Sequence, residues 1–485
     1  MLFPTAKLLI TGIFVVLGGG FNFGFQVSII NPMGKTLQQF LAQSLESRYD
    51  IKFSELTIRL LWSFVVGIFF IGAIIGAAVV PAVINRIGSR WSFVNIGFLM
   101  IIVIFFSPLS QYTNIAELFI LSRLFVGICV GMFTTVQGVF LTEISPVFAI
   151  ITVCFRGLMG TLTGLSTNIG ALLASMIGMP QIFGTKNLWP YGYYMEMIPC
   201  LMLICYAIFI LHESPLYFLK QMNESAAKES IQFYNNWKND RQIDDETERL
   251  KIQQKNNEED KEIKNIINWR KFWNNRATRR ALFLSILLNC TVSFSGIMAM
   301  VFFGTALLGA IGFTSTTASL ANCLAGLSGT IGILIQAITI DKIGRRFLLL
   351  GSLISLILIN LGMMILVWIF GQYHYSWLGY CFLLLFALFL FFFSIGIGPV
   401  AWFIATELAE PYCRAQLQSL SISAQYVTCF LCPIIYLPLE ELIGPFSFLI
   451  FIIPLTITTF FIYYYMPETR NRSPEEIHHL LESKR

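Results

Sequence analysis

A chain of 485 residues that is 56% hydrophobic and only 12% charged lies far from the roughly 25% charged profile of a soluble domain, which excludes an ordinary water-soluble enzyme or binding module. Its 45 phenylalanines fall in long apolar runs, not in the period-two alternation of a β-barrel, so the spans are helical. The net charge of +5 belongs to membrane orientation and gives no reason to expect nucleic acid.

The first apolar stretch, residues 8–34, carries no charge and is long enough for one crossing. No small-residue cleavage site follows it, so it reads as a retained helix and not as a removed leader. Residues 60–84 and 91–111 are the next two spans, separated by the tight basic turn Asn85-Arg86-Ile87-Gly88-Ser89-Arg90. The fourth span, 118–142, holds one charge, Arg123, and stops at Glu143. Spans at 157–179 and 188–211 complete six. The sixth contains Glu196, a costly charge that is expected either to snorkel to the interface beside Trp189 and Tyr191 or to be held neutral.

Residues 212–280 are a polar strap with 14 Lys/Arg and 12 Asp/Glu, 26 of the chain's 59 charged residues. Apolar anchors at helical spacing predict short amphipathic helices at 225–237 and 244–252. Beyond Arg280 no charge occurs until Asp341, which accommodates two spans around a Gly/Thr-rich turn near 309–317. The run 347–406 accommodates two more around Gly371-Gln372-Tyr373-His374-Tyr375-Ser376-Trp377, polar and aromatic as at an interface. Spans near 415–437 and 445–466 bring the total to twelve. Cys429 and Cys432 lie inside an apolar span, where small packing residues are the expected role; no metal or other cofactor is implied.

With both termini and the strap on one face, that face holds 26 of the 32 basic residues, which by the Lys/Arg bias makes it cytoplasmic. The opposite face then has its largest loop at 31–59.

The two halves echo each other. The turn Asn85-Arg86-Ile87-Gly88-Ser89-Arg90 recurs as Asp341-Lys342-Ile343-Gly344-Arg345-Arg346, and Glu143 with Arg156 recurs as Glu407 with Arg414. A duplicated six-span unit is the mark of a two-lobed carrier. These turns, with Arg123-Leu124-Phe125-Val126-Gly127, Glu143-Ile144-Ser145-Pro146, Glu213-Ser214-Pro215, Gly398-Pro399-Val400-Ala401-Trp402-Phe403 and Pro467-Glu468-Thr469, resemble the facilitative hexose transporters of the major facilitator superfamily. The chain is a divergent example, with an apolar insert at 147–155, Leu216 after Glu-Ser-Pro and Ser89 where Arg is usual. The resemblance implies an all-α membrane protein of twelve transmembrane helices in two lobes: 1–211, a charged linker 212–280, 281–466 and a tail 467–485. It implies a transporter and not an enzyme, in the plasma membrane with both termini cytoplasmic. The partners are the lipid bilayer and a small solute, a hexose first, with a non-sugar solute or a transport-inactive sensor as alternatives.

The resemblance also implies two sets of residues. Charges at the inner ends of spans, Glu143, Arg156, Glu213, Arg345, Glu407, Arg414 and Glu468, would pair when the inner side is shut and part when it opens. At mid-membrane, Trp402 would support the sugar ring, with Gln425, Ser293, Met298, Ser394, Asn168 and Gly164 at the remaining substrate positions. Here most hydroxyl-binding amides are replaced: Gly164, Val292, Ser293, Met298 and Gly329 stand at amide positions. Gln26 stands where proton-linked relatives carry an Asp, and an amide cannot titrate.

Overall fold

In the bilayer core each backbone amide needs an internal partner, so apolar runs of this length close into helices. The computed structural model describes residues 5–50, 53–144, 149–235, 241–252, 275–409, 414–470 and 474–483. Among the described residues every regular element is helical, and nine stretches are long and apolar enough to cross a membrane. Two of these, Leu56–Thr113 and Leu417–Tyr465, have 58 and 49 residues and so hold two crossings each. With the shorter apolar helix Leu162–Ile177 the crossings number twelve, as expected.

The long helix Glu55–Ile104 turns back at Gly88, whose φ of 82° is open to glycine and strained for other residues. The equivalent turn of the second half is made by Gly344 with φ 100°. Spans two and four approach so closely that a Cβ on Gly72 would stand 2.2 Å from the Leu124 carbonyl oxygen, the small-residue contact by which apolar helices pack in lipid. The first and seventh spans each contain a widened π-helical turn, Leu17–Phe21 and Ser293–Ile297. In the second of these Gly296 leaves helical geometry altogether, with φ 106°. The lobes meet through the fifth and eighth spans and through the second and eleventh.

Both described chain ends and the strap lie at one face, called here the terminal face; the other is the distal face. Thr5 donates to the Tyr234 carbonyl, and Arg280 donates to the Leu481 carbonyl at 2.6 Å. The strap forms the helix Glu224–Asn235 and a second helix at 241–252, which close over Leu219, Ala227, Ile231, Ile243 and Leu250. Residues 253–274 of the strap lie outside the described residues.

Three features differ from the sequence reading or decide between its alternatives. The segment 31–59, expected as a loop, contains the sixteen-residue helix Gly34–Tyr49. Leu37, Phe40, Leu41, Ser44 and Leu45 recur at helical spacing and are its buried face. Of the insert at 147–155, residues 149–155 are helical and lengthen the fifth span toward the terminal face; 145–148 lie outside the described residues. Glu196 does not snorkel: it is fully buried.

Candidate functional site

The seventh span breaks at Gly296 because a positive φ interrupts the helical hydrogen-bond ladder, and Asn360 takes up the freed Ser295 carbonyl with a donated bond of 3.0 Å. This break presents Ser293 to the eleventh span. Ser293 Oγ lies 2.9 Å from Thr428 Oγ1 and 3.1 Å from Cys429 Sγ, and it donates to the Gln425 carbonyl at 3.3 Å. Gln425 is buried; its Oε1 has no partner among the described residues. Val292 and Met298, at amide positions of the resemblance, are buried apolar side chains.

Trp402 stands at the seam of the lobes. Its ring meets Phe23 of the first span edge-on at 6.2 Å and Tyr426 at 6.4 Å. Phe70 of the second span closes the cluster, 6.5 Å from Phe23 and 6.3 Å from Tyr426. Phe70 and Tyr426 are buried while Phe23 and Trp402 keep partly open faces. The four rings, two from each lobe, form a stacking surface at the seam.

A second group forms around Gly329 of the eighth span. A Cβ there would stand 3.2 Å from Asn168 Oδ1 and 3.3 Å from Ser394 Oγ. The glycine therefore lets one lobe's amide and the other lobe's hydroxyl come close to the same point of the eighth span, with less room than a methyl needs. Asn168 also donates to the Gly164 carbonyl at 3.1 Å. Gly164 faces Ile333 of the other lobe, with its virtual Cβ 3.3 Å from Ile333 Cδ1. The implied substrate positions thus fall into two sets, Trp402, Gln425 and Ser293 in one and Asn168, Ser394 and Gly164 in the other, with Met298 beside the break.

The first lobe holds a buried polar chain that the sequence only half reveals. Gln26 donates through Nε2 to Glu196 and accepts through Oε1 from Arg123. Arg123 also donates to the Gln26 carbonyl at 3.2 Å and lies 5.1 Å over the Phe69 ring. One amide thus bridges a buried acid and a buried base, while Glu196 Oε1 and Arg123 Nε have no partner among the described residues. Two lone charges in apolar runs of one lobe were the available signal; the bridging amide had none.

At the distal end the lobes are joined by the exposed pair Arg59–Glu441 at 4.0 Å and by a set of neutral groups. Asn31 Oδ1 accepts from Thr305 N at 3.0 Å and from Thr305 Oγ1 at 2.9 Å, and Asn31 Nδ2 donates to Asn322 Oδ1 at 3.3 Å. Asn322 reaches back to Ser175 at 3.4 Å. The latch joins the first and fifth spans of one lobe to the seventh and eighth of the other.

At the terminal face the implied gate charges are engaged within their own lobes. Glu213 accepts from the backbone N–H of Ser89 and of Arg90, each at 2.9 Å. Glu468 accepts from the backbone N–H of Arg345 at 2.9 Å and of Arg346 at 3.1 Å. Each carboxylate thereby satisfies the free donors at the start of a helix. Burial pushes the Glu213 carboxyl upward, against the lowering effect of the N–H groups of Ser214, Arg90 and Ser89. Arg345 Nε lies 3.3 Å from Glu407, which also accepts from Thr469. Glu143 is bonded to Ser214, and burial raises its carboxyl above the usual range. The side chains of Arg156 and Arg414 lie outside the described residues.

Residues 11–481 match the family described as "Sugar (and other) transporter". The facilitated glucose transporter member 3 of solute carrier family 2 from Ovis aries is 28% identical over 470 residues, covering 97% of this chain and 92% of that one. Member 5 from Rattus norvegicus is 26% identical over 486 residues, covering 99% and 93%. Among solved structures, the partially occluded inward open xylose transporter XylE from E. coli superposes with a TM-score of 0.74 at 18% identity, covering 97% of this chain and all of that one. The proton:xylose symporter XylE bound to 6-bromo-6-deoxy-D-glucose gives 0.72 at 18% identity, covering 99% and 100%.

Proposed function

The chain is a member of the sugar (and other) transporter family of the major facilitator type, a carrier and not an enzyme, and from that premise we propose that it moves a hexose-type sugar by facilitated diffusion. The terminal face is cytoplasmic and the membrane is the plasma membrane. The carrier comprises lobes 1–211 and 281–466, a linker 212–280 and a tail 467–485. The observation that supports this most is the convergence on Gly329 of Asn168 and Ser394, polar side chains from different lobes. A solute bound there is held by both halves, so it is released as they part, the requirement of alternating access. Trp402 offers the apolar face of a sugar ring a stacking surface.

Transport is uncoupled from protons in this reading. Gln26 carries no titratable proton, and Glu196 is engaged through it with Arg123. A second reading, a solute with fewer hydroxyls than glucose, is favoured by one observation: Val292, Met298, Gly164 and Gly329 supply no side-chain hydrogen bonds. Three lost bonds of about 0.5–1.5 kcal/mol each lower hexose affinity by about 10- to 1,000-fold.

The deciding experiment is counterflow by purified protein in liposomes with labelled hexoses, deoxyhexoses and unrelated polar solutes. Saturable counterflow of a hexose or deoxyhexose, abolished in Trp402→Ala, is the expected result. Uphill uptake under an imposed pH gradient that collapses with a protonophore would refute uncoupled transport. Counterflow unchanged in Trp402→Ala would put the site elsewhere.

A further inference from the structure

The seventh span begins with a stripe that changes character along its length. Arg276, Arg279, Arg280, Phe283 and Leu284 recur three and four residues apart on the helix Arg276–Val292, so they share one face. The first turn of this helix has no acidic residue. Arg276 and Arg279 are exposed, and among the described residues neither has a hydrogen-bonding or ionic partner. One turn further into the membrane the same face is apolar: Phe283 is 50% exposed, as a side chain turned toward lipid is, and Leu284 is buried.

The end of the twelfth span supplies the opposite wall. Phe461 meets Phe283 edge-on, with ring centroids 5.2 Å apart and planes at 72°. Beside them lies a cleft of about 120 Å³ lined by Arg280, Phe283, Leu284, Phe461 and Tyr465. Arg280 is held at its terminal end by the bond to the Leu481 carbonyl of the tail. The matching spans of the first half, the first and sixth, close differently. Phe14 and Tyr206 stack there at 4.3 Å with planes 2° apart, and Lys7 lies 4.7 Å over the Phe233 ring of the strap. In that half the chain's own residues occupy both the rings and the cation.

We propose that this cleft binds one phospholipid with an anionic headgroup, its phosphate at the arginines and an acyl chain along Phe283, Leu284 and Phe461. Charge selects the occupant. A guanidinium presents a fork of N–H donors that fits phosphate oxygens, and each basic residue at the membrane surface attracts anionic lipid. A soluble anion would use only the arginines and a neutral lipid only the cleft; an anionic phospholipid of the terminal-face leaflet uses both. The bound lipid joins the seventh span to the twelfth and, through Arg280, to the tail. This holds whatever solute the carrier moves.

The test is native mass spectrometry of the full-length protein in detergent, titrated with phosphatidylglycerol or with phosphatidylcholine of the same acyl chains. The first phosphatidylglycerol should bind more tightly than the first phosphatidylcholine. The double variant Arg276→Gln/Arg279→Gln should lower that preference by about 30-fold, the effect of two surface cations. Arg86→Gln/Lys220→Gln removes the same charge from exposed positions of the first lobe and should leave the preference in place. Phe283→Trp, which keeps every charge and fills the cleft, should weaken phosphatidylglycerol binding. Glycerophosphoglycerol, the headgroup without chains, should not displace the lipid. Equal binding of the two lipids, or equal losses in the two double variants, would overturn the proposal in favour of unselective contact. Undiminished binding in Phe283→Trp, or displacement by glycerophosphoglycerol, would overturn it in favour of a site for soluble anions.

Discussion

The corner at Gly88 and the corner at Gly344 share a backbone device and differ in charge. In both, a positive-φ glycine starts a span and a carboxylate from the segment after the sixth span of that half receives two consecutive N–H groups. Among the described residues only the second corner adds an ion pair, Arg345 with Glu407. What both halves keep is what the fold needs: helix-start donors near the edge of the hydrocarbon must be satisfied. The ion pair, seen among the described residues in one half, is not needed to satisfy those donors.

The sharpest way to break this comparison is to remove the carboxylates. Glu213→Ala and Glu468→Ala each delete a side-chain acceptor of two backbone bonds, and each should destabilise the protein by about 3 kcal/mol. Both should lower the thermal midpoint in detergent by similar amounts. A large drop in one and none in the other would show that the corners are not equivalent.

Next come the glycines. A Cβ at Gly88 would stand 2.3 Å from Glu213 Oε2, and at Gly344 2.7 Å from Glu468 Oε2. With the cost of a positive φ added, Gly88→Ala and Gly344→Ala should each lose about 2 kcal/mol, Gly88→Ala the more. The same melting curves rank them, and a harmless Gly88→Ala would remove the strain argument.

The smaller effect separates the charges. Arg345→Ala leaves the partly exposed Glu407 without its cation and should cost about 1 kcal/mol after allowance for solvent screening. Ser89→Ala, which removes a hydroxyl with no partner among the described residues, should stay within about 0.5 kcal/mol. Equal losses would mean that Ser89 has a structural role the ion pair does not explain.

The sequence made the fold legible because apolar runs of spanning length and a repeated turn are local signals. The amphipathic spacing of Gly34–Tyr49 was equally local, but its polar content makes the segment read as a loop. The site was legible only as positions. Glu213 and Glu468 look like gate charges, and their capping role depends on partners more than a hundred residues away. Asn31 carries no mark of a latch, since an amide near a span end has many fates. Arg123 and Glu196 stand out as lone charges, while Gln26 between them does not.

The break at Gly296 also has a mechanical meaning. Thr305, which holds Asn31, lies nine residues beyond it on the helix Met298–Ala310, about 13 Å along the axis. That half-helix is a lever with its fulcrum at Gly296 and its load at the latch. A swing of about 20° at the fulcrum carries the tip by about 5 Å. Hydrogen bonds near 3 Å do not survive such a displacement. The tilt of one half-helix would thus release the latch, leaving the Arg59–Glu441 pair to part when the two lobes move as bodies.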